Sequence, residues 1–408
     1  MRFDASTRKR VRNPYDWMNR IGIMATAKPT TFRWLRTGRE IFPAMLEAIG
    51  AAEKSIRLET YIYTHGKLGR RFLAALLAAA GRGVRVRVLV DAVGSWFLPD
   101  DFFVPLVAAG GEVRRFNPLH LWRFGVRDHR KLLVCDECRA FVGGFNIADE
   151  YDGDGITHGW CDLGVGLEHP ILAAHLTDAF DELFALADFH RKPLLRLRGL
   201  KHRRQSRAGS TGRLLLSQPG RGASPFQAAL YYDLANAREV RIISAYFLPT
   251  RRVLRDLLRV VRRGGRVQLL LAGKSDVPVS QMAARSLYPR LLKAGVQIYE
   301  YQPQILHAKL VLCGHVAYVG SSNLDIRSLN LNYELMLRFE DQSVTREAHE
   351  ILEQALKQAK RIEAHPWGQR PSPWERWKNR WAHFLLARVD PFVALRQFHT
   401  LKYGENTP

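Results

Sequence analysis

Two segments of the chain each combine a histidine, a lysine two residues later, a glycine-rich stretch and an asparagine. The first is Asp128-His129-Arg130-Lys131 with Gly143-Gly144-Phe145-Asn146, and the second is Leu306-His307-Ala308-Lys309 with Gly320-Ser321-Ser322-Asn323. Residues two apart on a strand project from the same face, so each lysine is predicted to lie beside its histidine. Glycine lets the backbone approach a ligand closely, and the asparagine can donate a hydrogen bond to it.

Together the two segments would offer one small anion two imidazoles, two ammonium groups and two amides. This set suits a phosphodiester, because cations and amides can hold its oxygens while one imidazole attacks phosphorus and the other transfers protons. A third segment, His190-Arg191-Lys192, lacks the following glycines and asparagine and is predicted to be linker charge. No set of His, Cys, Asp and Glu has convincing metal-ligand spacing, so we expect neither a metal nor another cofactor.

The segments that precede the two motifs also match each other. In each half a helix leads into a strand, and a second helix then leads into another strand, at residues 84–90 in the first half and 266–271 in the second. Periodicity and β-branched content support these assignments. The chain is therefore predicted to be an α/β protein with two repeated units of about 150 residues, each a sheet with covering helices.

Composition divides the chain into five regions. A basic N-terminal extension covers residues 1–38, the two α/β units cover 39–188 and 216–362, and a basic linker covers 189–215. The last region, 363–408, places Trp374, Trp377, Trp381 and Phe384 at helical spacing, with Arg376, Lys378 and Arg380 beside or opposite them. This pattern is typical of a helix lying on an anionic bilayer, and a helix docked on the protein's own body would explain it almost as well.

The charge balance indicates anionic partners. Sixty-two Lys and Arg against 39 Asp and Glu give a net charge of +23, which suits phospholipid surfaces or nucleic acid. Four cysteines, with Cys135 and Cys138 in a lone C-x-x-C, indicate a reducing compartment rather than a disulfide framework. Because neither a signal peptide nor a run of about 18 apolar residues occurs, we expect a protein on the cytoplasmic side of the cell membrane, attached peripherally.

The two motifs resemble the paired motifs of the phospholipase D superfamily. Four segments further resemble its bacterial cardiolipin synthase branch: LETYIY (58–63), DAVGS (91–95), LHAKL (306–310) and GSSNLDIRSLNLNYE (320–334). The resemblance covers residues 39 to about 345. It implies two tandem phospholipase D-like α/β sandwich lobes related by a pseudo-twofold axis, with the active site between them. It also implies a phosphohistidine intermediate and no metal.

The resemblance assigns roles to individual residues. It implies a catalytic set of five residues, His129, Lys131, Asp136, His307 and Lys309. It implies that Asn146, Ser321 and Asn323 bind phosphate, and that the acids Asp162 and Glu334 orient the histidines. An acid on the ring nitrogen opposite the reacting one fixes the tautomer and stabilises imidazolium. Glu59 also matches a family position, and a carboxylate among apolar neighbours needs a partner.

The second motif departs from the first at one position. Gly314 stands where Asp136 stands in the first motif, and the interval from His307 to Asn323 is one residue shorter than that from His129 to Asn146. A one-residue loss at the turn after the strand explains both differences. Because this acid falls at the far end of the strand from the histidine, we expect it to secure the turn rather than perform chemistry.

These features predict a peripheral membrane phosphatidyltransferase resembling cardiolipin synthase. His129 would attack the phosphorus of phosphatidylglycerol or a similar phospholipid, and His307 would protonate the leaving alcohol and deprotonate an alcohol acceptor such as a glycerol-containing lipid. Two alternatives stay open, a phospholipase D or nuclease that uses water and a non-catalytic lipid-binding protein. The motifs lack the aromatic pattern of a single-strand reader, which disfavours nucleic acid. A monomer would suffice for the site, and the oligomeric state stays open.

Overall fold

The computed structural model describes residues 31–117, 125–187, 206–208, 212–220 and 222–363. The extension up to residue 30, the histidine segment at 190–192 and the aromatic tail from residue 364 lie outside the described residues. Within them the chain forms two large mixed sheets and a set of covering helices, which confirms the predicted α/β class.

The first lobe contains one sheet and four helices. Its strands are β1 (Thr31–Leu35), β2 (Ser55–Thr60), β3 (Arg85–Asp91), β4 (Glu112–Phe116), β5 (Leu132–Cys135), β6 (Arg139–Gly143) and β7 (Gly164–Glu168). Its helices are α1 (Gly38–Ala51), α2 (Lys67–Gly81), α3 (Val104–Ala108) and α4 (Pro170–Leu186). The strand order is β1-β7-β6-β5-β2-β3-β4. Strands β2, β3 and β4 are parallel, so their carboxyl ends meet at one edge, and β5 runs against β2.

The second lobe repeats this plan. Its strands are β8 (Ser206–Ala208), β9 (Gly212–Ser217), β10 (Glu239–Ser244), β11 (Phe247–Leu248), β12 (Arg266–Ala272), β13 (Gln297–Tyr301), β14 (Lys309–Cys313), β15 (Val316–Gly320), β16 (Leu324–Asp325), β17 (Glu334–Phe339) and β18 (Ala359–Ile362). Its helices are α5 (Pro225–Asn236), α6 (Arg251–Arg262), α7 (Pro278–Arg285), α8 (Tyr288–Lys293), α9 (Ile326–Asn330) and α10 (Gln342–Lys357). The main sheet has the order β18-β13-β12-β10-β14-β15-β17-β9-β8, and β11 pairs with β16 separately.

The repeat extends further than the sequence predicted. Strand β1 pairs antiparallel with β7, and β9 pairs antiparallel with β17 in the equivalent place of the second sheet. Each lobe therefore begins with a strand before its first helix. The first sheet starts at Thr31, inside the expected extension, and the second includes β8 and β9, which the predicted linker 189–215 overlaps.

Alternation along the strands distributes apolar side chains to two faces of each sheet. In β5, Leu132 and Val134 enter a core shared by the lobes, whereas Leu133 and Cys135 enter the core beneath α1 and α2. The shared core also contains the apolar faces of α4 and α10 and residues of the second sheet. The result is a five-layer arrangement in which α4 and α10 lie between the sheets and the remaining large helices lie outside.

The shared core joins the lobes through apolar burial, and one hydrogen bond across it runs from Trp34 Nε1 to the carbonyl oxygen of Val344 (3.2 Å). In the part of the chain that the structure describes, no helix has the length and apolar character needed to span a bilayer.

Candidate active site

His129 lies three residues before β5, at the edge of the sheet where β2 ends. Its backbone N–H donates to the carbonyl oxygen of Tyr333 (3.0 Å), and the N–H of Tyr333 donates back to Arg127 (2.9 Å). These bonds form a short parallel bridge between the two lobes. They align the first motif with the start of β17, so that Glu334, the residue after Tyr333, lies beside His129.

His307 is held in the same way by the opposite lobe. Its N–H donates to the carbonyl oxygen of Cys161 (2.7 Å), and the N–H of Cys161 donates to Ile305 (2.9 Å). This second parallel bridge places Asp162, the residue after Cys161, beside the second motif. The two bridges are related by the pseudo-twofold of the lobes.

Each histidine meets the acid of the other lobe. Nδ1 of His129 lies 3.0 and 3.1 Å from the two carboxylate oxygens of Glu334, and Nδ1 of His307 lies 2.5 Å from Oδ2 of Asp162. Both acids are buried. The sequence predicted that Asp162 and Glu334 orient the histidines, but it did not predict that each acid crosses the interface, because each one follows the motif of its own half.

The charges of these pairs fix the ring tautomers. Burial alone would raise the pKa of Glu334, but the contact with His129 holds it below its ordinary value. Burial likewise opposes ionisation of Asp162, while Lys309 and His307 together lower its pKa. An ionised carboxylate only accepts hydrogen bonds, so Nδ1 of each histidine carries a proton and Nε2 is the nitrogen available for chemistry.

Burial also keeps both imidazoles neutral in the free protein. It lowers the pKa of His129 against the opposing effect of Glu334. At His307, burial and the adjacent Lys309 lower the pKa to about 4. Each histidine is influenced by the lysine of the other motif as well as its own, so both motifs share one electrostatic environment. A neutral imidazole has the free electron pair that nucleophilic attack requires.

The two lysines are buried beside the histidines, as the spacing predicted. Lys131 Nζ donates to the carbonyl oxygen of His129 (2.7 Å). Lys309 Nζ likewise donates to the carbonyl oxygen of His307, and it lies 2.8 Å from Nδ1 and 3.0 Å from Nε2 of the same ring. Burial lowers the pKa of Lys131 to about 7 and that of Lys309 to about 8. A bound anion would favour the charged form of both lysines, because an opposite charge raises the pKa of an amine.

The three residues predicted to bind phosphate have different surroundings. Asn146 is engaged within its own lobe, since its Oδ1 accepts from the N–H of Ile62 (3.1 Å) and its Nδ2 donates to the hydroxyl of Tyr151 (2.7 Å). Ser321 donates its hydroxyl to the carboxylate of Glu334. Asn323 is buried, and its Oδ1 has no hydrogen-bond partner within the described residues. Of the three, Asn323 therefore retains a buried polar atom that a ligand could satisfy.

Asp136 lies apart from the other members of the predicted catalytic set. It follows β5, at the opposite end of that strand from His129, and its carboxylate accepts the backbone N–H groups of Glu53, Lys54 and Ser55 (2.9, 2.8 and 2.8 Å). These bonds lower its pKa against the effect of burial. The residue anchors the turn to the start of β2, which is the role that its position on the strand suggested.

The two turns account for the irregular spacing of the motifs. Cys135 pairs with Arg139 across a three-residue turn, whereas Cys313 pairs with Val316 across a two-residue turn. Gly314 has a φ of 59°, close to the 53° of Asp136, a left-handed conformation that glycine adopts without strain. The second motif thus lost one turn residue and one carboxylate, while the sheet around the turn is unchanged.

Glu59 has a partner that the sequence left unnamed. Its carboxylate accepts a hydrogen bond from Nε of Arg130 (2.6 Å), and Arg130 also donates to the carbonyl oxygen of Ala179 in α4 (3.2 Å). Burial raises the pKa of Glu59 against the opposing charge of Arg130. The buried ion pair with Glu59 therefore holds Arg130, the residue that follows His129, in the sheet.

Three aromatic residues that sequence reasoning did not single out surround the histidines. Tyr61 contacts His129 edge to face, with ring centroids 5.0 Å apart. The hydroxyl of Tyr151 lies 3.4 Å from Nε2 of His307, and Trp160 packs on the same ring at 5.6 Å. Tyr61 could have been found from the LETYIY segment. Tyr151 lies in a short 3-10 turn, Asp149–Tyr151, whose sequence carries no catalytic signal.

Comparisons with known proteins agree with this geometry. A family model described as cardiolipin synthase, PLD-like domain, matches residues 45–184 and 232–356. Cardiolipin synthase B of Shigella flexneri is 38% identical over 312 residues, which cover 74% of each chain. A cardiolipin synthase of Geobacillus sp. (strain WCH70) is 32% identical over 365 residues, covering 86% of this chain and 71% of the relative.

The fold itself matches a solved structure. Phosphatidylserine synthase of Haemophilus influenzae Rd KW20 superposes with a TM-score of 0.70, covering 89% of this chain and 95% of that protein, at 16% identity. That identity supports the fold alone, whereas the family match and the two closer relatives confirm the predicted resemblance. The chain belongs to the cardiolipin synthase family of phospholipase D-like phosphatidyltransferases.

Proposed function

We propose that this protein transfers a phosphatidyl group from phosphatidylglycerol, or a similar phospholipid, to an alcohol acceptor such as a glycerol-containing lipid. The observation that carries the proposal is the reciprocal pairing of His129 with Glu334 and of His307 with Asp162, around two buried lysines. Two oriented imidazoles and two cations are the set that a two-step displacement at phosphorus needs.

In the first step Nε2 of His129 attacks phosphorus. A nitrogen–phosphorus bond forms, the bond from phosphorus to the headgroup oxygen breaks, and that oxygen takes a proton from Nε2 of His307. In the second step His307 removes a proton from the acceptor hydroxyl, the hydroxyl oxygen attacks phosphorus, and His129 leaves. Lys131 and Lys309 hold the phosphoryl oxygens and stabilise the negative charge of both transition states.

The surroundings of the two Nε2 atoms support this division of roles. Within the described residues Nε2 of His129 makes no hydrogen bond, which leaves it free to attack. Nε2 of His307 lies 3.4 Å from the hydroxyl of Tyr151 and 3.0 Å from Nζ of Lys309, whose pKa burial lowers to about 8. The low pKa of His307 has to rise for it to act as an acid. An arriving phosphodiester supplies that change, because its charge draws Lys309 from the ring and favours imidazolium.

We also propose that the protein works at the cytoplasmic surface of the cell membrane as a peripheral enzyme, and that one copy of the chain suffices for the chemistry. The site is built from the two lobes of a single chain, which is consistent with a functional monomer. The expected partners are anionic phospholipids, and no cofactor is part of the proposed mechanism.

Trapping the intermediate tests the proposal. Purified protein is incubated with phosphatidylglycerol labelled on phosphorus, quenched with acid or with base, and assayed for protein-bound label. Phosphohistidine is stable in base and labile in acid, so the label should survive only the basic quench. Product analysis in the presence of glycerol or a second phospholipid distinguishes transfer from hydrolysis.

Three substitutions assign the roles. His129→Ala should abolish trapping, and His307→Ala should abolish turnover. His315→Ala, an exposed histidine in the turn after β14, is the matched control and should behave as wild type. Trapped label in His129→Ala but none in His307→Ala would reverse the two roles. If neither the wild-type protein nor any variant trapped label, and the wild-type protein showed no turnover, the proposed function would be refuted.

A further inference from the structure

Of the eight large apolar side chains that are exposed among the described residues, four lie in the segments that leave the carboxyl ends of β3 and β12, beside the active site. Among the described residues, Phe97 is 84% exposed and Trp96 is 59% exposed, both in the connection that leaves the carboxyl end of β3. The equivalent connection after β12 exposes Val277 and Val279. The pseudo-twofold thus places an apolar patch on each lobe at the edge where the histidine motifs lie. Two adjacent exposed aromatic residues are costly in water and mark a surface made for contact.

The loop that carries Trp96 and Phe97 is tied to the catalytic residues. Asp91 accepts the N–H of Gly94 (3.0 Å) and that of Asp128 (2.9 Å), the residue before His129. Ser95 donates to the carbonyl oxygen of Tyr61 (3.1 Å), whose ring contacts His129. A substituent on Gly94 would strike the ring and backbone of Tyr61, so the loop packs directly on that residue.

The loop that carries the exposed pair is anchored to the core of the first lobe. Leu98 and Phe103 are buried on the far side of the loop, and Phe103 contacts the ring of Tyr63 with centroids 5.1 Å apart. Trp96 and Phe97 therefore project from an anchored turn. An anchored projection loses little conformational freedom when it enters a partner.

Exposed basic side chains lie at this edge of both lobes. Helices α2 and α6 begin there, and each opens with exposed basic residues, Lys67 and Arg70 in α2 and Arg251 and Arg252 in α6, with no acid in the first turn. The carboxylate of Asp149 caps α2 by accepting the N–H groups of Lys67 and Leu68 (2.9 and 2.7 Å), and Arg252 pairs with Asp256 (3.8 Å). Exposed Lys67 and Arg251 make no ion pair within the described residues, so their charges are available to an anionic surface. The two loops also contain acids: Asp100 is paired with Arg115 (3.1 Å), its neighbour Asp101 is exposed, and Asp276 accepts from the hydroxyl of Tyr246 (2.8 Å).

We infer that this edge of the catalytic body docks on an anionic phospholipid bilayer, with Trp96 and Phe97 inserted among the headgroups. The inference rests on the proposed function, because a phospholipid whose acyl chains stay in the bilayer reaches the site only if the site faces the membrane. Aromatic side chains flanked by Lys and Arg form the usual composition of an interfacial contact. The surface belongs to the lobes and is distinct from the tail beyond residue 363.

Substitution of the exposed pair tests the docking surface in the full-length protein, so that the tail is present throughout. Trp96→Ser with Phe97→Ser is compared with wild type, with Phe97→Ser alone and with Tyr232→Ser, which removes an exposed aromatic from α5. Binding is measured by co-sedimentation with vesicles of phosphatidylglycerol and phosphatidylcholine. Turnover is measured on the same vesicles and on dihexanoyl phosphatidylglycerol below its micelle concentration.

The double variant should bind vesicles about tenfold more weakly or worse, given the transfer energy of one inserted aromatic side chain. Its turnover on vesicles should fall in proportion, its turnover on the monomeric lipid should be unchanged, and Tyr232→Ser should match wild type. Phe97→Ser alone should show part of the loss of vesicle binding. Because the Phe97 side chain is largely exposed, a folding defect would not explain that loss. If the wild-type protein turned over neither lipid, a loss of vesicle binding in the double variant would still support this docking surface, while the proposed function would be refuted.

Unchanged vesicle binding and vesicle turnover in the double variant would overturn the inference. A change in oligomeric state on size-exclusion chromatography, with vesicle binding retained, would also overturn it and would identify the patch as a subunit contact.

Discussion

Glu334→Gln changes one charge at the centre of the site while preserving the shape of the side chain. The carboxylate is fully buried and accepts from Nδ1 of His129 and from the hydroxyl of Ser321. Glutamine fills the same volume but carries no charge, and its amide can present a donor where the histidine needs an acceptor. The variant therefore isolates the electrostatic and tautomeric contribution of the acid to catalysis.

The magnitude follows from two effects. Loss of a charged hydrogen bond costs about 1.5–3 kcal/mol, which corresponds to roughly a 10- to 150-fold loss in rate. Turning the imidazole into the wrong tautomer adds to this, and the corresponding acid-to-amide change in a Ser-His-Asp triad lowers kcat about 10⁴-fold. We expect kcat to fall by about 10²- to 10⁴-fold, with little change in KM, because Glu334 contacts the histidine rather than the lipid.

The pH profile gives a second readout that a structural role would not produce. Glu334 raises the pKa of His129 against the effect of burial. Without that charge His129 stays unprotonated to lower pH, so the acid limb of kcat/KM that belongs to His129 should move to lower pH.

Two control variants separate charge from packing. Ser321→Ala removes a hydrogen bond to the same carboxylate but leaves its charge, and should lower kcat by about tenfold or less. Glu300→Gln changes a buried carboxylate that is paired with Arg285 (2.8 Å) away from the histidines, and should affect stability only. Activity of Glu334→Gln within tenfold of wild type, or an equal loss in Glu300→Gln, would refute the orienting role.

Local sequence features were sufficient to predict the main elements of the fold. The repeated helix–strand order, the two strands at 84–90 and 266–271 and the paired motifs all correspond to observed elements. The strands that precede the first helix of each lobe were missed for a physical reason. Strand β9 has six residues and gains its ladder from β17, more than 100 residues later, so nothing in its neighbourhood distinguishes it from linker.

The candidate site was predictable in its residue types but not in its pairings. The spacing placed each lysine beside its histidine, and the family pattern indicated an acid for each ring. Which acid meets which ring depends on the parallel bridges between the lobes, and these bonds join residues more than 140 positions apart. Tyr151 was missed because its position depends on the fold of a loop rather than on periodicity.

The two lobes also differ in the strand that pairs with each motif strand, although the motifs themselves are similar. Glu59 lies opposite Leu132, and Ile243 lies opposite the equivalent Leu310, so Ile243 occupies the place of Glu59 in the second lobe. The ion pair of Glu59 with Arg130 therefore corresponds to apolar packing in the second lobe. Replacement of a buried ion pair by apolar packing is often neutral for stability. Similar backbones can thus hold the two histidines on different supports, and this difference is compatible with different chemical roles.

The remaining predictions concern pH, metal, membrane contact and the turn. In the free enzyme kcat/KM should decline at acid pH, where the nucleophile His129 gains a proton at a pKa that burial holds below its ordinary value, and decline again above about 7 to 8, where Lys131 and Lys309 lose theirs; a flat profile to pH 10 would contradict the role of the lysines. EDTA should leave turnover unchanged because the lysines supply the positive charge, and activity restored only by a divalent ion would contradict this. Deletion of residues 370–408, outside the described residues, should weaken binding to anionic vesicles at low salt, by about 1 kcal/mol for each basic residue near the surface, while activity on a soluble substrate survives. Asp136→Asn should lower stability by about 1–3 kcal/mol, because a charged acceptor of three backbone N–H groups is lost, while kcat at 25 °C stays within a few-fold of wild type. Asp136→Gly reproduces the second motif and should behave similarly, since glycine relieves the positive φ at this position. Thermal unfolding and turnover are measured on the same preparations, and a collapse of kcat without a change in Tm would show that Asp136 acts on the chemistry rather than on the turn.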